Sequence, residues 1–228
     1  MKTDITGGIR LPVPLKFRRG GHRKDPEKSL QSALDLLKWV DGHRPLEGAR
    51  ILDFGCGVKV AQALYQLDSP QAAYAGLDLY AEMIAFISEA LRGDDRYAFY
   101  TVPFANEMYN PDGEEMHAGS ELPLGDQRFD TLLMFSVITH MTPADTAAVL
   151  AILRRYASAD ARLLFWAFAD PDQPEDFRDD NPARPLLRAK YNRDYLETLI
   201  AGAGWDIVLR EPVGRAHRKE RYVCSPAP

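Results

Sequence analysis

The sequence Ile51-Leu52-Asp53-Phe54-Gly55-Cys56-Gly57 decides the fold class of this chain. Its apolar first half predicts a short buried strand, and its two glycines allow the backbone to turn tightly and a ligand to approach the main chain. Residues 58–67 then predict a helix, whose first N–H groups have no partner within the helix. A strand, a glycine turn and a helix in this order are typical of α/β domains that bind a ligand at the end of the strand.

Strands and helices alternate on both sides of this unit. Helix starts are indicated by Asp25-Pro26 and Thr142-Pro143, where an N-cap residue precedes a proline at the first helical position. Alternation of this kind implies parallel strands joined by right-handed crossovers, and two tail strands joined by a polar turn imply an antiparallel hairpin. The predicted strands are 51–54, 73–78, 97–102, 129–135, 161–168, 205–211 and 219–225, and the predicted helices are 26–41, 58–67, 80–92, 143–158 and 192–203.

The predicted fold is therefore α/β, with a single doubly wound, mostly parallel seven-stranded sheet, a C-terminal antiparallel hairpin and an N-terminal helical extension. We expect residues 1–45 to form an arm and a helix that act as a lid, and residues 46–228 to form the main domain. Residues 169–190, which are rich in Pro, Asp and Arg, predict a lid or a substrate loop.

An acidic residue, Asp78, ends the strand that follows the glycine turn. A carboxylate at this place accepts hydrogen bonds from the two hydroxyls of a ribose, which predicts a cofactor that contains a nucleoside. The motif that binds nicotinamide dinucleotides has a small residue at the position of Val60. The negative charge of Asp53 would also lie beside the negatively charged pyrophosphate. These features favour a ligand that carries a positive amino group and a sulfonium over a dinucleotide.

The residues ILDFGCG at 51–57 and GLDL at 76–79 resemble the signature of class I S-adenosylmethionine-dependent methyltransferases, which have a Rossmann-like fold. Residues 135–140, FSVITH, look like the segment after the fourth strand in one large branch of that family, and the C-terminal hairpin matches its reversed last strand. The resemblance covers residues 46–225. The arm from Leu11 to Gly21 also resembles N-terminal segments that close over the cofactor in related enzymes.

The resemblance implies S-adenosylmethionine as the cofactor and assigns parts of it to residues of this chain. Asp53, Gly55, Cys56 and Gly57 would border the methionine part, and Asp78 would hold the ribose. The remaining cofactor-binding residues that it implies are Leu79 and Met83 beside the adenine, Asn106 near the adenine edge, and Phe135 and Ser136 beside the methionine or the substrate mouth.

One departure from the family pattern is Lys59, which stands where the family usually has a third glycine. A lysine in the first turn of a helix is slightly disfavoured by the helix dipole. Three interpretations stay open: the side chain extends into solvent, it reaches an anionic group of the substrate, or it weakens cofactor binding.

The candidate catalytic residue is His140, just past the fourth predicted strand, where ligands collect in open α/β sheets. Imidazole titrates near neutrality and can act as a general base. The alternative is that His140 caps or packs against the helix that begins at Pro143. Methyl transfer depends chiefly on orientation, which supplies roughly 7–11 kcal/mol, so a catalytic dyad is not required. Further polar groups that could reach the pocket, without a motif behind them, are Tyr109, His117, Asp170, Arg184 and Tyr191.

The composition and motifs of the sequence disfavour several classes of partner. The net charge of −5 and the absence of an Asn/Asp-Pro-Pro-Tyr/Phe pattern argue against nucleic acid, although residues 10–24 carry six basic side chains and no acidic one. We expect no membrane partner, because no apolar run has the length of a span. We expect no metal either, because the five histidines are scattered. Two cysteines favour a reducing, cytoplasmic location.

The sequence thus predicts an enzyme that transfers a methyl group from S-adenosylmethionine to an O, N or C nucleophile of a small molecule. The alternative is a catalytically degenerate S-adenosylmethionine-binding protein with a regulatory or scaffold role, and a nicotinamide-dependent reductase is a third, less favoured candidate. The arm and first helix could serve as a lid or as the surface of a homodimer.

Overall fold

A computed structural model describes residues 8–106, 110–181, 183–213 and 219–228. The chain divides into two compact units, Met1–Thr101 and Val102–Pro228. Tyr109, a polar residue considered above, lies outside the described residues.

The first unit consists of the N-terminal arm, three helices and three strands. Its strands are parallel in the order β3-β2-β1, with Asp53 opposite Gly76 and Leu77 opposite Tyr100. The carboxyl ends of these strands therefore lie at one edge. The elements in chain order are a short 3-10 helix (Leu15–Phe17), α1 (Pro26–His43), β1 (Arg50–Phe54), α2 (Lys59–Gln66), β2 (Ala73–Asp78), α3 (Ala81–Ala90) and β3 (Tyr97–Thr101).

Local signals in the sequence account for the start and the orientation of α1. The Asp25 carboxylate accepts the Lys28 N–H at 3.1 Å, and Pro26 occupies the first turn, where its missing N–H costs nothing. Leu30, Leu34 and Leu37 recur at helical spacing and are completely buried. The predicted N-cap and buried face of this helix are confirmed.

The second unit is built around one long strand, β5. It pairs in parallel with β4 and β7 and antiparallel with β9, and β8 and β9 form an antiparallel hairpin. The elements are β4 (Phe129–Met134), a 3-10 helix (Ile138–His140), α4 (Pro143–Tyr156), β5 (Ala157–Asp170), β6 (Phe177–Asp179), β7 (Ala189–Asn192), α5 (Arg193–Gly202), β8 (Trp205–Pro212) and β9 (Lys219–Pro226).

The structure confirms the α/β class, the mostly parallel strands and the C-terminal antiparallel hairpin. The described residues form nine strands rather than the predicted seven. The two additional strands pair antiparallel; β6 lies within residues 169–190, which the sequence predicts as a loop, and β7 begins there and ends at Asn192. Tyr191 anchors them, because its buried hydroxyl donates to the Met141 carbonyl at 2.8 Å. The boundary at residue 45 and the lid role of the arm stay predictions.

None of the helices in the described ranges is long and apolar enough to cross a membrane. Cys56 and Cys224 are both buried free thiols.

Candidate functional site

The glycine turn after β1 has the geometry that the sequence requires. Gly55 and Gly57 have φ angles of +67° and +53°, in the left-handed region that favours glycine. The Cys56 N–H donates to the Leu77 carbonyl at 2.9 Å, which ties the turn to β2. A methyl group placed on Gly57 would meet no atom within 4 Å among the described residues, so a ligand can approach the main chain there.

Asp78 is joined directly to this turn. One oxygen of its carboxylate accepts the Gly57 N–H at 3.0 Å, and the other accepts the Tyr80 N–H at 3.0 Å. The residue is half-buried, and each carboxylate oxygen retains a second lone pair after these contacts. The carboxylate is therefore fixed in place and can still accept hydrogen bonds from two hydroxyls.

Asp53 lies beneath the turn, with only 1% of its surface exposed. The Tyr74 hydroxyl donates to its carboxylate at 2.8 Å. Burial raises the pKa of Asp53 to about 7; the Tyr74 hydrogen bond opposes this shift, and the negative charge of Asp78 adds to it. The structure thus places the Asp53 carboxyl against Tyr74. A ligand can approach the main chain of the turn at Gly57 instead. Burial likewise raises the pKa of the Cys56 thiol.

The arm packs beside the glycine turn. Val13 and Phe17 of the arm form a buried cluster with Val58 and Met83. We call these four residues the arm cluster. Met83, predicted to flank the adenine, therefore lies under the arm, and Leu79, the other predicted neighbour of the adenine, is half-buried. Their contact with an adenine stays a prediction.

Lys59, the residue that departs from the family pattern, does not extend into solvent. Its ammonium donates to the Ser32 hydroxyl of α1 at 2.9 Å, and the residue is half-buried. Burial lowers the pKa of Lys59, because a desolvated ammonium is less stable in its charged form.

In the second unit, Phe135 and Ser136 follow β4 and contact β5. The Trp166 indole N–H donates to the Ser136 hydroxyl at 3.1 Å, and the rings of Phe135 and Trp166 lie 5.2 Å apart between centroids. Ser136 has a φ of +61°, a conformation that non-glycine residues rarely adopt and that is often found at functional sites. The Lys219 ammonium lies 3.3 Å from the centroid of the Trp166 ring.

His140 is fixed by contacts from two segments. Its Nδ1 lies 2.9 Å from the Leu186 carbonyl oxygen, and the Asn106 side-chain amide donates to the His140 carbonyl at 3.0 Å. A carbonyl oxygen only accepts, so Nδ1 carries the hydrogen and the lone pair is on Nε2. In the neutral imidazole, Nε2 is then the basic nitrogen.

The alternative role for His140, capping the next helix, belongs to another residue. The Thr142 hydroxyl accepts the Asp145 N–H at 3.2 Å, and the Asp145 carboxylate accepts the Thr142 N–H, which together form a capping box. The start of α4 is satisfied without the imidazole.

The comparison of the chain with protein families decides its identity. A family model described as a methyltransferase domain matches residues 52–165, half of the chain. The chain belongs to this methyltransferase family. It is a class I, S-adenosylmethionine-dependent enzyme, as the residues 51–57 and 76–79 predict.

Solved structures share the Rossmann-like fold of the methyltransferase. The 1,6-didemethyltoxoflavin-N1-methyltransferase of Burkholderia thailandensis, with bound 1,6-didemethyltoxoflavin and S-adenosylhomocysteine, is 19% identical with a TM-score of 0.64, over 90% of this chain and 82% of that one. The magnesium protoporphyrin IX methyltransferase of Synechocystis, with bound S-adenosylmethionine, is 17% identical with a TM-score of 0.58, over 93% and 88%. The glycopeptide N-methyltransferase MtfA, with S-adenosylhomocysteine, is 12% identical with a TM-score of 0.60, over 86% and 90%.

S-adenosylmethionine is the methyl donor of this methyltransferase. The residues of the first unit fit it, because the Gly57 turn is open to a ligand and the Asp78 carboxylate can accept two hydroxyls. The individual contacts with the cofactor stay predictions for all ten residues that the sequence assigns to it: Asp53, Gly55, Cys56, Gly57, Asp78, Leu79, Met83, Asn106, Phe135 and Ser136.

Sequence reasoning did not find several residues that contact the predicted site residues of each unit or hold their partners. Tyr74 and Trp166 lie inside strands that the apolar pattern predicts, where an aromatic residue resembles ordinary core. Asp179 accepts the Leu186 N–H at 2.8 Å and so holds the partner of His140, yet it lies in the segment predicted as a loop. No pairing signal in the sequence links Leu186 to His140, which is 46 residues away.

Proposed function

We propose that this methyltransferase transfers the methyl group of S-adenosylmethionine to an O, N or C nucleophile of a small molecule. The observation that carries the proposal is the hydrogen bond from the Gly57 N–H to Asp78, which unites the open glycine turn and the ribose-binding carboxylate in one cradle. When bound, S-adenosylmethionine supplies a methyl group on a sulfonium sulfur. The neutral thioether that remains is an excellent leaving group.

The residues of the first unit would bind and orient. Asp78 would accept the ribose hydroxyls, while the main chain from Gly55 to Gly57 would line the methionine part. Asp53 and Tyr74 would act through the turn by holding it from below. Orientation of this kind accounts for roughly 7–11 kcal/mol of barrier lowering in well-aligned reactions.

His140 would take a proton from the acceptor through Nε2 when the nucleophile has one to lose. The Leu186 carbonyl would stabilise the imidazolium that forms, because Nδ1–H points at it. A general base of this kind contributes typically about 10²–10⁴-fold to the rate. Asn106 would hold the main chain of His140 in register through its own amide.

Three observations support a small-molecule acceptor. The net charge of −5 gives no overall attraction for the phosphates of nucleic acid. The structural neighbours with bound didemethyltoxoflavin and with activity on protoporphyrin carry names of small-molecule enzymes. Phe135 and Trp166 offer an aromatic surface after β4 that suits a flat, partly apolar acceptor.

The first test is isothermal titration of the purified protein with S-adenosylmethionine, S-adenosylhomocysteine and NAD, each alone. We expect micromolar binding of the two adenosyl ligands and no binding of NAD. The Asp78→Ala variant should lose binding, since the ribose hydroxyls lose their acceptor. Absence of adenosyl-ligand binding by the wild-type protein would overturn the proposal.

A second candidate function, a degenerate cofactor-binding protein, is motivated by Lys59. The hydrogen bond from Lys59 to Ser32 shows that this side chain has a defined position. It does not favour a loss of cofactor binding. Methyl turnover against a panel of small acceptors separates the two candidates, because a scaffold protein would bind the cofactor and turn nothing over.

A further inference from the structure

Lys59 is a desolvated cation whose charge is not balanced. Its only hydrogen bond goes to the neutral Ser32 hydroxyl, and throughout the described ranges of the chain its ammonium has no carboxylate partner. Burial alone lowers its pKa, and no opposing attraction from an acidic group accompanies that shift. A partly desolvated charge without a partner costs free energy, and a ligand of opposite charge would offset that cost.

Arg18 presents the same feature from the arm. Its Nε and Nη1 atoms are shielded from solvent and have no hydrogen-bond partner among the residues that the structure describes. A guanidinium stays protonated in proteins, so Arg18 keeps its positive charge and both of these N–H donors. Donors that are buried and unsatisfied are rare in folded proteins and call for a specific explanation.

The two cations belong to the same part of the first unit. Arg18 follows Phe17, which packs against Val58 in the arm cluster, and Val58 directly precedes Lys59. Gly20, two residues after Arg18, is so close to the ammonium that a methyl group placed on it would lie 3.6 Å from the Lys59 Nζ. Both residues therefore lie beside the glycine turn that borders the cofactor.

Three other basic residues of the arm have partners among the described residues. Lys16 pairs with Glu82 of α3, and the Arg19 guanidinium donates to the Lys16 carbonyl at 2.6 Å. Arg10 donates to the Tyr65 carbonyl at 2.7 Å. These exposed side chains thus have acceptors, whereas the shielded Nε and Nη1 of Arg18 have none among the residues that the structure describes.

We propose that Arg18 and Lys59 together bind a carboxylate of a ligand of this enzyme. The inference rests on the proposed function for the identity of that ligand: the carboxylate belongs to the amino-acid end of the cofactor or to an acidic methyl acceptor. A carboxylate matches the donor set, since it can accept from the guanidinium and the ammonium at once.

The test uses isothermal titration with the full chain and its Lys59→Met and Arg18→Met variants. These substitutions remove the charge and keep an unbranched apolar side chain. Arg23→Met is the matched control, because it removes the same charge from an exposed position of the arm. The probes are S-adenosylhomocysteine, which has the carboxylate, 5′-methylthioadenosine, which lacks the amino-acid part, and malonate added to the protein saturated with S-adenosylhomocysteine.

If the pair holds the carboxylate of the cofactor, each variant binds S-adenosylhomocysteine about 10-fold or more weakly, while affinity for 5′-methylthioadenosine is unchanged. If it holds an acidic acceptor, S-adenosylhomocysteine binds normally and malonate binds the wild type and the control but neither variant. In both cases the double variant loses less than the two single losses combined, because one group is shared. Unchanged affinity for both carboxylate probes in both variants would overturn the proposal.

Two controls keep the result interpretable. Thermal unfolding without ligand should show no loss of stability in Lys59→Met, since the substitution removes an unbalanced charge; the Lys59→Gln and Arg18→Gln variants serve if a methionine variant fails to fold. A wild-type protein that binds malonate but no adenosyl ligand would refute the proposed function and leave the anion site standing.

Discussion

At the scale of single residues, the contact between His140 Nδ1 and the Leu186 carbonyl fixes which nitrogen of the imidazole is basic. A His140→Gln variant keeps a polar side chain but has no basic nitrogen. For an acceptor that loses a proton, we expect turnover to fall about 10²–10⁴-fold, while the affinity for S-adenosylhomocysteine is unchanged. The rate of methyl transfer is measured at saturating S-adenosylmethionine, and the affinity for S-adenosylhomocysteine is measured by isothermal titration.

His117→Gln is the matched control, because His117 is an exposed histidine of the same unit and loses the same chemical group. It should leave turnover unchanged. An acceptor whose nucleophile has no proton to lose should be methylated equally well by wild type and His140→Gln. Equal turnover by both proteins on an acceptor that must lose a proton would show that His140 is not the base.

At the scale of elements, the segment from β6 to Leu186 positions the imidazole. The Asp179 carboxylate accepts the N–H groups of Asn181 and Leu186, and Leu186 has a φ of +55°, which a non-glycine residue holds only when its surroundings enforce it. In Asp179→Ala we expect turnover to fall roughly 10–100-fold, because a displaced Leu186 carbonyl no longer orients His140. The pH profile of the rate should change as well, since the Nδ1–H loses its fixed acceptor.

Asp180→Ala is the neighbouring control, because its carboxylate pairs with Lys190 rather than with the main chain of this segment. The pair is partly exposed to solvent, and ion pairs near the surface contribute little to stability. Asp179→Asn should recover part of the activity, since an amide oxygen can still accept one N–H. A normal rate and pH profile in Asp179→Ala would contradict a positioning role.

The same segment shows where sequence reasoning ends. Helix α1 and the turn from Gly55 to Gly57 were predictable, because their caps, apolar spacing and left-handed glycines are local signals. The strands β6 and β7 were not, since they are short, polar and stabilised by partners distant in sequence, such as the Tyr191 contact with Met141. Likewise, Asp78 was found as a candidate from its place after β2, whereas the burial of Lys59 depends on a contact with α1 that no local pattern encodes.

At the scale of the whole molecule, the buried carboxyl of Asp53 links the stability of the fold to pH. Its pKa is raised to about 7 in the folded protein, whereas an unfolded aspartate titrates near 3.9. Between these values the folded chain keeps a proton that the unfolded chain releases. The stabilising contribution of the protonated carboxyl is therefore present at acidic pH and is lost as the pH rises towards about 7.

We therefore expect the difference in unfolding free energy between the wild type and Asp53→Asn to shift in favour of the variant, by a few kcal/mol, between about pH 5 and about pH 8. The variant cannot ionise and still offers an acceptor for the Tyr74 hydroxyl, so it escapes the cost of burying a charge beneath the turn. Urea unfolding of both proteins at the two pH values measures the difference, and Asp126→Asn, at an exposed position, should show no such shift. If Asp53→Asn runs parallel to the wild type across this range, the carboxyl is ionised throughout, and the turn tolerates a buried charge that its surroundings do not explain.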